Sequence, residues 1–146
     1  MESLKMSENS LIVDLCNAVN NEIKKVPGAE CTVFDLVPYF SFSEMKQLRI
    51  VVAPQSLART NQGAASREGN DKTVKINIAI MKKCVSKSEI PDLLFFTEKI
   101  ADALNRKVIS ASLVISVEFD PVYDPDVFRR DKVFCSVCTL TLKVLK

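Results

Sequence analysis

The stretch Thr73-Val-Lys-Ile-Asn-Ile-Ala-Ile80 decides the fold class. Its β-branched residues at positions 74, 76, 78 and 80 alternate with Lys, Asn and Ala, and this period of two places the aliphatic side chains on one face of a strand. Before it, Leu48 to Ala53 alternates in the same way, and Pro54 is expected to end that strand. The sequence therefore predicts two half-buried strands joined by residues 54–72.

Helical periodicity flanks these two strands. Apolar residues recur at helical spacing from about Asn9 to Lys25, where Pro27-Gly28 follows, and again from Ser88 to Lys107, with Pro91 in the tolerated first turn. Three further strands are predicted, over Cys31 to Val37, Leu113 to Phe119 and Val133 to Leu145.

The resulting order, α-β-β-β-α-β-β, predicts an α+β fold. Consecutive strands without helical crossovers favour a mainly antiparallel sheet of about five strands, with the two helices packed on one face. A length of 146 residues fits one domain over residues 1–146. The positions that repeat at the right period predict the shared core: Ile76, Ile78, Phe96, Ile100, Leu104, Val117 and Leu140.

Composition limits the functional classes. The chain is 47% hydrophobic and 26% charged, as in globular proteins, and its net charge of +2 lacks the excess of a dedicated nucleic-acid binder. No apolar run approaches the roughly 18 residues of a membrane span, and the first residues have no signal-peptide pattern. We expect a protein made in the cytoplasm that does not enter a membrane.

Residues that carry chemistry are scarce. The sequence contains no histidine, which removes the commonest general base and transition-metal ligand. Cys135-Ser-Val-Cys138 has the spacing of a zinc or redox pair, but residues three apart on a strand point to opposite faces. We expect the five cysteines to be reduced thiols, and we expect no enzymatic activity, metal or cofactor.

Four carboxylates crowd the segment Asp120-Pro-Val-Tyr-Asp-Pro-Asp-Val-Phe-Arg-Arg-Asp131. It lacks the glycine and terminal glutamate of an EF-hand, and its two arginines neutralise the acids. Both Asp-Pro steps favour turns, so the sequence predicts a rigid loop. We expect this loop to contact another protein through Tyr123, Asp124, Asp126, Arg129 and Arg130.

The segment 54–72 is long for a connection within a domain, and long connections that are retained are usually functional or disordered. Its glycines match neither a dinucleotide nor a phosphate-binding fingerprint. Residues 54–72 are therefore predicted to be a long extended loop or hairpin arm. We expect the arm to contact an adjacent subunit or another protein through Gln55, Arg59, Asn61, Arg67 and Lys72.

Four features in order resemble the tail-terminator, or tail-completion, proteins of long-tailed bacteriophages, which join heads to tails. They are the amphipathic first helix; Leu48-Arg-Ile-Val-Val-Ala-Pro54 leading through the arm to Thr73–Ile80; the helix Asp92-Leu-Leu-Phe-Phe-Thr-Glu-Lys-Ile-Ala-Asp-Ala-Leu104; and Phe119-Asp-Pro-Val-Tyr-Asp-Pro-Asp-Val-Phe128 before the last strand.

This resemblance implies a structural virion protein that caps the tail tube. The family implies a homo-oligomer, typically a hexameric ring, that sits on the last ring of tail-tube protein, ends its polymerisation and presents a surface to the neck or head-completion protein. DNA would pass through the lumen without sequence-specific binding. The protein would be found in the virion, and in the host cytoplasm during assembly.

Three alternatives remain open from the sequence. The nearest is another neck or head-completion protein. The second is a small-ligand-binding α+β protein or enzyme that uses a pocket between the sheet and its helices. The third is a regulatory nucleic-acid binder, for which the arm has a small net charge and no aromatic residue to stack on bases.

Overall fold

The fold is one mixed sheet with helices packed against it. The computed structural model describes residues 10–36, 46–61, 70–120 and 122–144. The elements are α1 (Leu11–Lys24), β1 (Val33–Phe34), β2 (Arg49–Asn61), β3 (Asn70–Lys83), a 3-10 turn (Lys87–Glu89), α2 (Ile90–Leu104), β4 (Val108–Ile109), β5 (Ser112–Phe119), α3 (Pro125–Asp131) and β6 (Val133–Val144).

The sheet has the strand order β1-β2-β3-β6-β5-β4. β1 runs parallel to β2, and every other neighbouring pair is antiparallel. The predicted α+β class and mainly antiparallel sheet are confirmed. The described residues contain six strands and three helices, where the sequence indicated about five strands and two helices.

Local signals explain where α1 begins and ends and where α2 begins. Ser10 caps α1, since its side chain accepts a hydrogen bond from the Val13 N–H at 3.3 Å. After α1, Gly28 adopts φ +92°, a left-handed conformation that glycine tolerates. Before α2, the Glu89 carboxylate accepts hydrogen bonds from the Val85 and Ser86 N–H groups at 2.6 and 3.3 Å.

The main core lies between the sheet and helices α1 and α2. Of the predicted core residues, Ile76, Ile78, Ile100, Leu104 and Leu140 are fully buried, at 0–1% exposure. The other two, Phe96 and Val117, are partly buried and pack against this core. A second, smaller cluster of buried residues forms where Val127 of α3 packs against Val51, Ala79, Met81 and Val133.

Two predicted boundaries are wrong. β2 does not end at Pro54 but continues to Asn61, with a bulge between Pro54 and Ser56. Proline has no N–H to donate, yet it is tolerated at bulges and on strands near a sheet edge, and β1 covers β2 only at Val51 and Val52. β1 itself is limited to Val33–Phe34, shorter than the predicted strand from Cys31 to Val37, whose last residue lies outside the described residues.

The predicted loop before the last strand contains helix α3. Asp124 caps this helix, because its carboxylate accepts hydrogen bonds from the N–H groups of Asp126 and Val127 at 3.1 and 3.2 Å. Pro125 occupies the first turn, where the missing N–H has no cost. The same Asp-Pro step that favours a turn therefore begins a helix here.

Candidate assembly surfaces

The two groups of residues predicted to make contacts lie at opposite ends of the sheet. The predicted arm residues on β2 lie after Pro54, towards the end of that strand. Asp124 lies at the level of the start of β2 instead, because its N–H donates to the carbonyl of Cys135, and Cys135 is paired with Met81, which is paired with Arg49. From Arg49 to Arg59 an extended strand covers roughly 30 Å. The molecule thus has two separate end surfaces.

At the first end, the outer parts of β2 and β3 bring four of the five predicted arm residues into one hairpin. Gln55 is exposed at the bulge, Arg59 is paired with Lys72 across the strands, and Asn61 is paired with Asn70. Arg67 lies outside the described residues. The last pair between β3 and β6 is Thr73 with Lys143, so beyond this level β2 and β3 form a two-stranded ribbon.

At the second end, two predicted contact residues have structural roles. The ring of Tyr123 lies nearly parallel to that of Phe134, with centroids 6.0 Å apart, and is tilted against Phe128 at 6.3 Å. Asp124 is used as the cap of α3. The Tyr123 ring holds α3 against the end of the sheet, the Asp124 carboxylate caps the helix, and both side chains are only partly exposed.

The exposed side of α3 carries the other three predicted contact residues. Asp126 pairs with Arg129 at 2.9 Å, and Arg130 pairs with Asp131 at 3.1 Å. Such exposed ion pairs add little stability, at most about 1 kcal/mol each, so the charges remain available for a partner. Of the predicted contact residues at this end, these three form the accessible surface.

A basic cleft of about 410 Å³ adjoins this surface. Val85, Lys87, Phe128, Arg129 and Lys132 line it together with Ser86 and Pro125. Val85 is 93% exposed at the turn after β3, and the ammonium group of Lys132 lies 5.4 Å from the centre of the Phe128 ring. The sequence did not indicate this cleft, because it forms only when the turn after β3 meets α3.

Another cleft, of about 440 Å³, lies between the end of α1 and the outer side of α2. Glu22 accepts ion pairs there from Lys25 at 3.0 Å and from Lys107 at 3.5 Å, and these lower the pKa of its carboxyl group. Val26, Pro27 and Ala103 supply the apolar part of the lining. The residues that line this cleft belong to the two helices and the segments that follow them, whereas the small-ligand alternative expects a pocket between the sheet and its helices.

Three of the five cysteines, Cys16, Cys84 and Cys138, are buried, and Cys31 and Cys135 are partly exposed. Cys135 and Cys138 lie on β6 as predicted, and Cys138 is fully buried in the main core while Cys135 packs against the second cluster. Burial raises the pKa of Cys138 to about 12 and that of Cys16 to about 11, so both thiols stay protonated and weakly nucleophilic at neutral pH. In the described part of the chain, no three Cys, Asp or Glu side chains converge to hold a metal ion.

Helix length also bears on membranes. None of the described helices is both long and apolar enough to cross a bilayer.

Comparison with known proteins relates the chain to others through its fold. No protein-family model matches the sequence, and no curated protein matches it. Among solved structures, a chain from the virion of a native gene transfer agent particle superposes with a TM-score of 0.57 at 13% identity, covering 93% of this chain and 98% of that chain. A second solved protein, whose name states no function, has a TM-score of 0.54 at 14% identity, covering 94% and 98%. At these identities the likeness establishes a shared fold.

Proposed function

We propose that this chain is a structural virion protein that caps a tail tube, ends its polymerisation and forms the joining surface to the neck or head. The observation that carries the proposal is the shared fold, over 93% of the chain, with a protein of a gene transfer agent virion. The sequence resemblance to tail-terminator proteins supports the more specific role.

Two end surfaces suit a protein that joins two partners. Arg59, Asn61 and Lys72 of the arm lie beyond the last pair of β3 with β6, and Gln55 lies at the bulge of β2 before that level. The α3 surface, with Asp126, Arg129 and Arg130, lies at the other end. We assign the arm to contacts with adjacent subunits and the tail tube, and the α3 surface to the neck. Copies form a ring, and DNA passes through its lumen without being read.

The function requires complementary surfaces and no reacting group. Tyr123 and Asp124 support the α3 surface from below, while Arg129 and Arg130 can form bidentate pairs with carboxylates of a partner. In the arm, backbone groups and amide side chains can bond a neighbour without a large apolar patch, which keeps the free subunit dissolved.

The decisive experiment shortens the arm at a point that the structure defines. Replacing residues 59–72 with an Asn-Gly turn leaves Ala58 and Thr73 as the closing pair, and this dipeptide suits a two-residue hairpin turn. The shortened chain should fold, since β3 keeps its pairing with β6 and loop length changes closure entropy only slowly. Tails assembled with it should be overlong or uncapped in electron micrographs.

A matched variant at the other end separates the two roles. Changing Arg129 and Arg130 to Glu reverses the charge of exposed residues on α3 and leaves the arm intact. We expect tails of normal length that do not join heads. Normal-length tails from the shortened arm would contradict the capping role. Head joining as the only defect of both variants would favour the second candidate, a neighbouring neck or head-completion protein.

A further inference from the structure

Exposed aliphatic side chains concentrate at the two edges of the sheet. Eight large hydrophobic side chains are exposed among the described residues, and five of them belong to the edges. Val33, Leu36 and Leu57, exposed by 43, 67 and 40%, belong to the β1/β2 edge. Val108 and Ile115, exposed by 60 and 51%, belong to the β4/β5 edge. Apolar groups gathered in this way indicate contact surfaces.

Both edges also present backbone groups without a strand beside them. β1 covers β2 at Val51 and Val52 only, and the N–H of Asp35 donates to the carbonyl of Val52. On the other side, β4 covers β5 at Ser112 and Leu113 only. In the described structure, no strand pairs with the outer side of β2 from 53 to 61 or of β5 from 115 to 119.

The two edges have complementary steps. Phe119 of β5 lies at the same height along the strands as Val52 of β2, because the two are connected by the strand pairs Phe119–Cys138, Cys138–Ile78 and Ile78–Val52. At this height β1 adds a further strand to one edge of the sheet, whereas on the other edge β5 has no described strand beside it. Leu113 of β5 lies at the same height as Ala58 of β2, because they are connected by the strand pairs Leu113–Lys143, Lys143–Thr73 and Thr73–Ala58. At this height β4 adds a strand beside β5, whereas β2 has no described strand on its outer side.

Strand direction is compatible with such a fit. β2 and β6 run in the same direction and β5 runs opposite to them, because each neighbouring pair from β2 through β5 is antiparallel. If the next copy is rotated about an axis along the strands, its β5 stays antiparallel to β1 and β2.

We propose that copies of this chain bind head to tail, with the β1/β2 edge of one copy against the β4/β5 edge of the next. The inference rests on the proposed ring and names the surface that receives the arm. A contact between two different surfaces closes into a ring when the rotation between copies closes. Val108 of one copy then lies close to Leu57 of the other, since the two side chains stand at nearly the same level.

Two substitutions block one edge each. Leu57→Lys disables the β1/β2 edge and Val108→Lys disables the β4/β5 edge; both side chains are at least 40% exposed, so the fold should tolerate them. Each variant alone should remain a monomer of 16.3 kDa. Mixed together, they retain one intact pair of edges and should give a 1:1 dimer of twice that mass. Val85→Lys, at a 93% exposed site away from both edges, should assemble like the wild type.

Sedimentation velocity of the full-length chain measures these masses, and circular dichroism checks that each variant is folded. The inference is wrong if the wild type stays monomeric, if either single variant assembles like the wild type, or if the mixture of folded variants stays monomeric. Assembly through another surface, with tail capping retained, would overturn the inference alone. Assembly that depends on the edges without arrest of tube growth would overturn the proposed function alone.

Discussion

Replacing Ile100 with Ala should strongly destabilise the protein. Ile100 is fully buried at the middle of the face of α2 that packs on the sheet. Truncating such a residue removes apolar contacts and leaves a cavity, at a cost of about 2–5 kcal/mol. For a domain of this size, roughly 3 °C is lost per kcal/mol, so the unfolding midpoint should fall by about 6–15 °C.

Two neighbouring phenylalanines calibrate that result on the same helix. Phe95 is 63% exposed, and Phe95→Ala should change the free energy of unfolding by no more than about 0.5 kcal/mol. Phe96 is partly buried, and its Cε1 atom lies 3.3 Å from where a Cβ on Gly28 would stand, so Phe96→Ala should give an intermediate loss. Urea unfolding at low protein concentration measures all three without a contribution from assembly.

Two results would refute this reasoning. Equal losses from Phe95→Ala and Ile100→Ala would mean that α2 does not present the Ile100 face to the sheet. Normal stability of Ile100→Ala, combined with failure to assemble, would instead make that face an interface between proteins.

Two further predictions concern titratable groups. Cys138, whose pKa is raised to about 12, should react with iodoacetamide at pH 8 far more slowly in the folded chain than in urea, and protein grown with zinc should contain no stoichiometric metal bound by Cys135 and Cys138. Hydrogen bonds from Lys82 and from backbone N–H groups lower the pKa of Glu89 from 4.5 to about 2, so its stabilising effect is complete above pH 4.5 and disappears as the pH falls towards 2. The stability advantage of the wild type over Glu89→Gln should shrink across that range, and a constant difference would contradict the assignment.

The sequence predicted the parts of the fold that depend on local periodicity. The alternation from Val74 to Ile80 identified β3, and the stripe containing Ile100 and Leu104 identified the buried face of α2. The continuation of β2 past Pro54 was missed because it depends on a distant feature, the shortness of β1. A proline interrupts a strand only where its N–H would be needed.

Helix α3 shows a local signal with two meanings. Asp124-Pro125 is equally suited to start a turn or to cap a helix. The helix is favoured here because Phe128 packs against Tyr123, which itself lies against Phe134 of β6. The exposed residues Asp126, Arg129 and Arg130 could therefore be named from the sequence, but their placement on one side of a helix could not.

The position of β6 determines which strands are left at the edges. β6 is the last strand in the chain, yet it lies between β3 and β5, with eleven paired positions on β3 and seven on β5. Without β6, the hairpin of β2 and β3 would not be joined to β5. Leu57 and Val108 would then have no fixed height relative to each other along the strands. Sequence order says nothing about this insertion. Polar composition could therefore suggest that the arm makes contacts, whereas the edge that we propose as its partner surface could be recognised only from the strand order.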